Sequence, residues 1–167
     1  MNLKHVIRTV VAGGLAGAVV FWLYQVTFQG ATIPAFIGGQ IVSQGKYSLS
    51  PSLVGWAVHL WVSFSYAALL TLILQIPFSS SLALNRGIGL AAGLILGWAT
   101  NKIAPPAIQV TISLLSGKGF PSPLWDLNPS AGHAFWNHLL FFVVVWLVEA
   151  GLRLRPQEGA PRAPRAA

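Results

Sequence analysis

PAFIGGQIVSQGKYSLSPSLVGWAVHL (residues 34–60) has a second version further along the chain, PAIQVTISLLSGKGFPSPLWDLNPSAGHAFWNHL (106–139). Both open on Pro-Ala and run through about two helical turns of apolar residues. Both then reach Gly-Lys near an aromatic, pass a Leu-x-Pro-Ser, and come to a Trp and a His-Leu at the head of a long apolar segment. Pro34 to Gly45-Lys46 and Pro106 to Gly117-Lys118 have the same spacing, and Leu49-Ser50-Pro51-Ser52 answers Leu127-Asn128-Pro129-Ser130. His59 falls eight residues after its proline and His138 nine after its own. Upstream, GLAGAVVFW (14–22) aligns with GLAAGLILGW (89–98) with one gap, so the pattern reads as an internal duplication.

What surrounds the repeated stretch sets the class. Only 8% of the 167 residues are charged, 54% are hydrophobic, and the mean hydropathy is +0.67. Ten basic and three acidic residues cannot give a domain of this size a soluble surface. Thr9–Phe28 and Leu53–Ile76 each run at least 20 residues without a formal charge, enough to cross a hydrocarbon core of ~30 Å as helix. The chain therefore reads as an integral membrane protein. It has no cysteine, which excludes disulfides, thiolate metal sites and thiol chemistry. The net charge of +7 does not indicate nucleic acid, because the basic residues are spread over loops and flanks, where headgroup contacts and the positive-inside effect account for them. The basic start and apolar run at the N-terminus exceed a signal-peptide core and show no convincing small-x-small cleavage site, so they read as a retained helix.

Four spans are expected, at about 9–28, 53–76, 82–103 and 133–152. Two short helices that do not span are expected at 35–45 and 107–117, lying on the membrane surface or dipping into it. The expected fold is an all-α membrane protein, one four-helix domain over 1–154. It is made of two tandem helix–short helix–helix units, about 9–76 and 82–152, followed by a disordered cytoplasmic tail over 155–167. The third span is the weakest, with only 14 uncharged residues between Arg86 and Asn101. Gly13 and Gly17 in the first span, and Gly89, Gly93 and Gly97 in the third, form small-residue rows where another helix can approach. Lys4, Arg8, Arg86, Arg153, Arg155, Arg162 and Arg165 fall on one side and Lys46, Lys102 and Lys118 on the other, which puts both termini in the cytoplasm.

The candidate site residues follow from polarity inside spans. Trp56, His59, Ser63 and Tyr66 share one stripe of the second span, and polar groups there face the bundle or a wet cavity. His59 and His138 enter equivalent spans one to two turns below the outer interface. The plain reading has each histidine bonding a carbonyl of a neighbouring helix or loop. The sharper one has the pair holding a b-type haem or contributing to a metal site. A proton-linked or substrate role is a third. Asn101 and Asn137 are further intramembrane polar groups, and His133 reads as a helix-start contact. Glu149, the only acid within a span, has Arg153 at i+4, the favourable order for a rim ion pair. Lys46 and Lys118 are equivalent and read as headgroup contacts or, less simply, a symmetric anion site. No nucleophile elbow, zinc-protease motif, phosphate loop or carboxylate cluster occurs, so no enzyme activity is expected and no catalytic residue is named.

HLWVSFSYAALLTLI (59–73) and HAFWNHLLFFVVVWLVEAGLRLR (133–155) resemble the YagU-like bacterial inner-membrane proteins. The shared points are a histidine entering the second span, a His-rich aromatic start to the fourth, and a Glu-then-Arg exit. The resemblance implies a four-span protein of the bacterial inner membrane and leaves the activity open. The expectation is a structural or accessory subunit of a membrane assembly, or a homo-oligomer joined through the glycine rows. The alternatives are a haem- or metal-binding membrane protein and a small-solute channel or transporter.

Overall fold

The computed structural model describes residues 3–45, 47–76 and 78–153, with the backbone alone at Arg153. Lys46, the tail over 155–167 and the Glu149–Arg153 pair expected from the sequence lie outside the described residues. The elements are all helices: α1 (Leu3–Phe28), α2 (Ile33–Ser43), α3 (Pro51–Ile73), α4 (Leu82–Leu115) and α5 (His133–Arg153). Four of them, α1, α3, α4 and α5, are long and apolar enough to cross a membrane. The chain is accordingly a helical bundle of multi-pass membrane type.

Local chemistry marks the helix ends. The side chains of Thr32, Ser50 and Ser81 accept the backbone N–H groups of Ala35, Leu53 and Leu84, so three helices start on a hydroxyl cap. Pro34 and Pro51 sit in the first turn, where no N–H is needed. Gly45 and Gly117 follow α2 and α4 with φ of 76° and 77°, a left-handed conformation that stops a helix.

Neighbouring spans run antiparallel. α1 packs between α3 and α5, and α4 packs along α5. The glycines set how closely they meet. A β-carbon at Gly17 would lie 2.6 Å from Phe141, one at Gly13 3.3 Å from Val145, and one at Gly14 would strike Phe64. Along α4, Gly89 receives Leu74, Gly93 lies under Leu70 and Phe142, and a β-carbon at Gly97 would stand 2.9 Å from Leu139. Both small-residue rows are therefore filled from within the chain. They are not free grooves for a second copy, which corrects the ground on which a homo-oligomer was expected. The core consists of Ala67, Leu70, Phe141, Phe142 and Val145, gathered where α3 meets α5. On the far face of α1, Leu3, Ile7, Val11, Leu15, Val19 and Leu23 recur every fourth residue and are exposed, as lipid contact requires.

The second half departs from the expected plan. No break separates a span at 82–103 from a short helix at 107–117. α4 is one helix of 34 residues, about 51 Å long, running through Pro105 and Pro106. Proline has no N–H, so Pro106 leaves the carbonyl of Lys102 without its helical donor. The backbone N–H of Asn128 supplies it instead, at 2.9 Å. The helix continues because a distant loop satisfies what the proline removes. The helix–short helix–helix unit thus describes the first half alone.

Candidate functional site: a chamber under α2

The C-terminal end of α3 and the N-terminal half of α4 are held together by Leu70 over Gly93 and Leu74 against Gly89. Elsewhere α3 and α4 touch little, whereas α1 and α5, the pair that the expected duplication would make equivalent to them, pack along most of their length. The consequence is a cavity of about 330 Å³ with mainly apolar walls. α1 contributes Phe21 and Gln25, the turn after it Gln29, and α3 contributes His59, Ser63 and Tyr66. α5 supplies His138 and Phe141, and α4 supplies Ala104, Pro105 and Thr111. Ile33, Phe36 and Ile37 of α2 complete it with Trp125 and Asn128 of the loop between α4 and α5.

Each wall is fixed by polar contacts of its own. Gln25, 3% exposed, accepts the Ile33 N–H at 2.9 Å through its side-chain oxygen and so holds the start of α2 against the end of α1. α2 then meets α3 at two glycines: a β-carbon at Gly38 would strike the Pro51 carbonyl, and one at Gly55 the Pro34 carbonyl. The loop is tied to α4 at several points. The Gln109 side chain donates to the Pro123 carbonyl and accepts the Trp125 N–H, at 3.1 and 2.7 Å. Asn128 donates to Asn101 at 3.0 Å, Asn101 to the Ser130 carbonyl at 3.3 Å, and Lys102 to the Pro129 carbonyl at 3.2 Å. Tyr47 reaches across from the first half and donates to the Leu115 carbonyl at the end of α4.

The two histidines line this same chamber. His59 Nε2 lies 3.1 Å from the Ala18 carbonyl of α1, and His138 Nδ1 lies 2.7 Å from the Ala134 carbonyl of its own helix. A carbonyl only accepts, so each of these nitrogens carries the proton. Nδ1 of His59 and Nε2 of His138 are left as lone-pair acceptors. The Phe21 ring packs against both imidazoles, its centroid 5.5 Å from His59 and 5.2 Å from His138. A porphyrin ligated by both histidines would have to displace Phe21, so the side chains as packed do not fit a haem. Among the described residues no group of three His, Cys, Asp or Glu gathers to hold a metal ion.

The remaining polar residues lie elsewhere. Asn137, fully buried, donates to the Phe21 backbone carbonyl at 3.1 Å and so ties α5 to α1 beside the chamber. His133 faces Tyr24, with its Nδ1 3.2 Å from the phenol oxygen. Glu149 is buried at the opposite end of the bundle, where it shares a recess of about 110 Å³ with Arg86, Asn85 and Trp146, far from the chamber. Sequence reasoning missed Phe21, Gln25, Gln29, Gln109, Trp125 and Asn128. The two glutamines one turn apart near the end of an otherwise apolar span were the available signal. Comparison with protein-family models, with characterised proteins and with solved structures finds no match to this chain.

Proposed function

We propose that this multi-pass membrane protein is a non-enzymatic accessory component of a membrane assembly, and that it works by holding a small, mostly apolar molecule in the chamber under α2. The observation that carries the reading is the chamber itself. It is a cavity of about 330 Å³, within the range of small-molecule sites, with apolar walls and a few convergent polar groups. The charge distribution supports cytoplasmic termini, which sets the chamber toward the outer face. The resemblance of 59–73 and 133–155 to YagU-like proteins supports a bacterial inner membrane. No comparable support exists for haem, because Phe21 lies against both histidines, or for a conducting path, because Leu70 and Leu74 seated on α4 close the wedge at its inner end.

The test is retention of a small molecule through purification. The full chain, extracted in mild detergent and released under native mass spectrometry, is expected to carry a bound organic species. Ile108 of α4 also lines the cavity, and Ile108→Trp, which puts an indole into the chamber, is expected to lose that species with little change in melting temperature. A wild-type protein that carries nothing, or a filled variant that retains the same species, would overturn the proposal.

A further inference from the structure

We infer that the molecule held in the chamber is an uncharged aromatic bearing a ring hydroxyl, the phenol class; this rests on the reading of the chamber as a binding site. The polar groups of the wall say what they lack. His59 and His138 both line the cavity, and each keeps one acceptor nitrogen with no donor partner among the described residues. An acceptor facing an apolar chamber is stabilised only when the occupant brings an O–H or N–H. On the donor side, Gln29 Nε2 is buried without a partner, and the hydroxyls of Ser63 and Tyr66 also line the cavity. An occupant whose polar end both donates and accepts matches this set. A hydroxyl does both, whereas a ketone or an ether only accepts.

Charge narrows the class further. Among the described residues, the lining contains no Lys, Arg, Asp or Glu. A carboxylate, phosphate or ammonium would thus enter an apolar site with no counter-charge, at a large desolvation penalty. The walls then favour a flat, unsaturated body. Phe21, Phe36, Tyr66, Trp125 and Phe141 present rings to one space, and ring faces and edges pack best against another ring.

The experiment compares two probes of nearly the same shape, thymol and thymol methyl ether. Binding to the full-length protein in detergent micelles is followed by titration calorimetry, with Ile108→Trp protein in the same micelles as background for partitioning. Thymol is expected to bind about tenfold tighter than its ether, the ratio that one net hydrogen bond produces. His59→Phe/His138→Phe, which removes both acceptor nitrogens, is expected to reduce that ratio to about one. Should that variant fail to fold, His138→Phe alone carries the comparison and is expected to lower the ratio by several-fold. Equal binding of both probes to the wild type overturns the hydroxyl class and leaves the chamber as a binding site. A preference that survives in the variant also overturns it. Absence of binding by either probe above background, together with a protein that retains nothing on purification, overturns both readings.

Discussion

Gly38→Ala is the sharpest perturbation of the chamber that leaves its lining untouched. Gly38 sits on α2 where the helix crosses α3, and a β-carbon there would strike the backbone oxygen of Pro51. Backbone cannot rotate away as a side-chain tip can. To restore an ordinary carbon–oxygen contact of about 3.3 Å the two helices must part by on the order of 1.5 Å. Overpacking of this kind costs about 1–3 kcal/mol, and a backbone-on-backbone clash belongs at the upper end. Alanine recovers about 1 kcal/mol over glycine in a helix interior. The expected net loss is ~2 kcal/mol, read as a shift in reversible unfolding by SDS in mixed micelles. Gly39→Ala is the control, because a β-carbon at that neighbouring position meets nothing within 4 Å. It should be neutral or stabilise by up to about 1 kcal/mol. Gly55 faces the Pro34 carbonyl in the reciprocal way. Once the helices have parted for one methyl the second fits the same gap, so Gly38→Ala/Gly55→Ala should cost little more than either single change. A Gly38→Ala protein as stable as Gly39→Ala, or a double variant whose losses add, would refute the close crossing on which the roof of the chamber depends.

Two further outcomes follow from the polar ties. Pro106→Ala returns an N–H to the Lys102 carbonyl and competes with Asn128 for it. The bundle should become more stable, since proline in a helix interior costs about 3 kcal/mol, while the Asn128 amide exchanges hydrogen roughly tenfold faster; unchanged exchange at Asn128 would contradict the latch. Gln25→Ala removes the acceptor of the Ile33 N–H. It should destabilise by about 1 kcal/mol and raise exchange at the first turn of α2 while the amides of α5 stay protected; protection of Ile33 equal to the wild type would count against that role for Gln25.

The spans were legible because they depend on composition over a window. Long uncharged runs and serine or threonine before a proline or an apolar run are local signals, and α3 and α5 begin and end within a few residues of where those signals stand, while α1 ends at Phe28 as expected but begins at Leu3, taking in the basic flank. Partners are not local. Gly38 reads in sequence as a weakness in a short helix, and only the approach of Pro51 shows that the missing side chain is what lets α2 sit down on α3. The glycine rows of α1 and α4 announce a close neighbour without saying whether it comes from this chain or another. Pro105-Pro106 reads as a helix break, and the group that overrides it, the N–H of Asn128, is supplied from beyond the end of the helix.

The chamber was illegible for the same reason at a larger scale. Two halves of similar sequence suggest two-fold packing, in which α3 would meet α4 as α1 meets α5. Such a bundle would bring α3 onto α4 along its length and leave no wedge. The halves differ most in the segment between α4 and α5, where Pro121, Pro123, Trp125 and Asp126 have no counterpart in the first half. That segment is tied along α4 from Asn101 to Gln109, and its Trp125 and Asn128 form part of the chamber wall. The insertion thus supplies wall where symmetric packing would have supplied α3. The stripe of His59, Ser63 and Tyr66, which a symmetric bundle would have buried against α4, faces an opening instead. The difference between the two halves, more than the repeat expected from the sequence, accounts for the chamber.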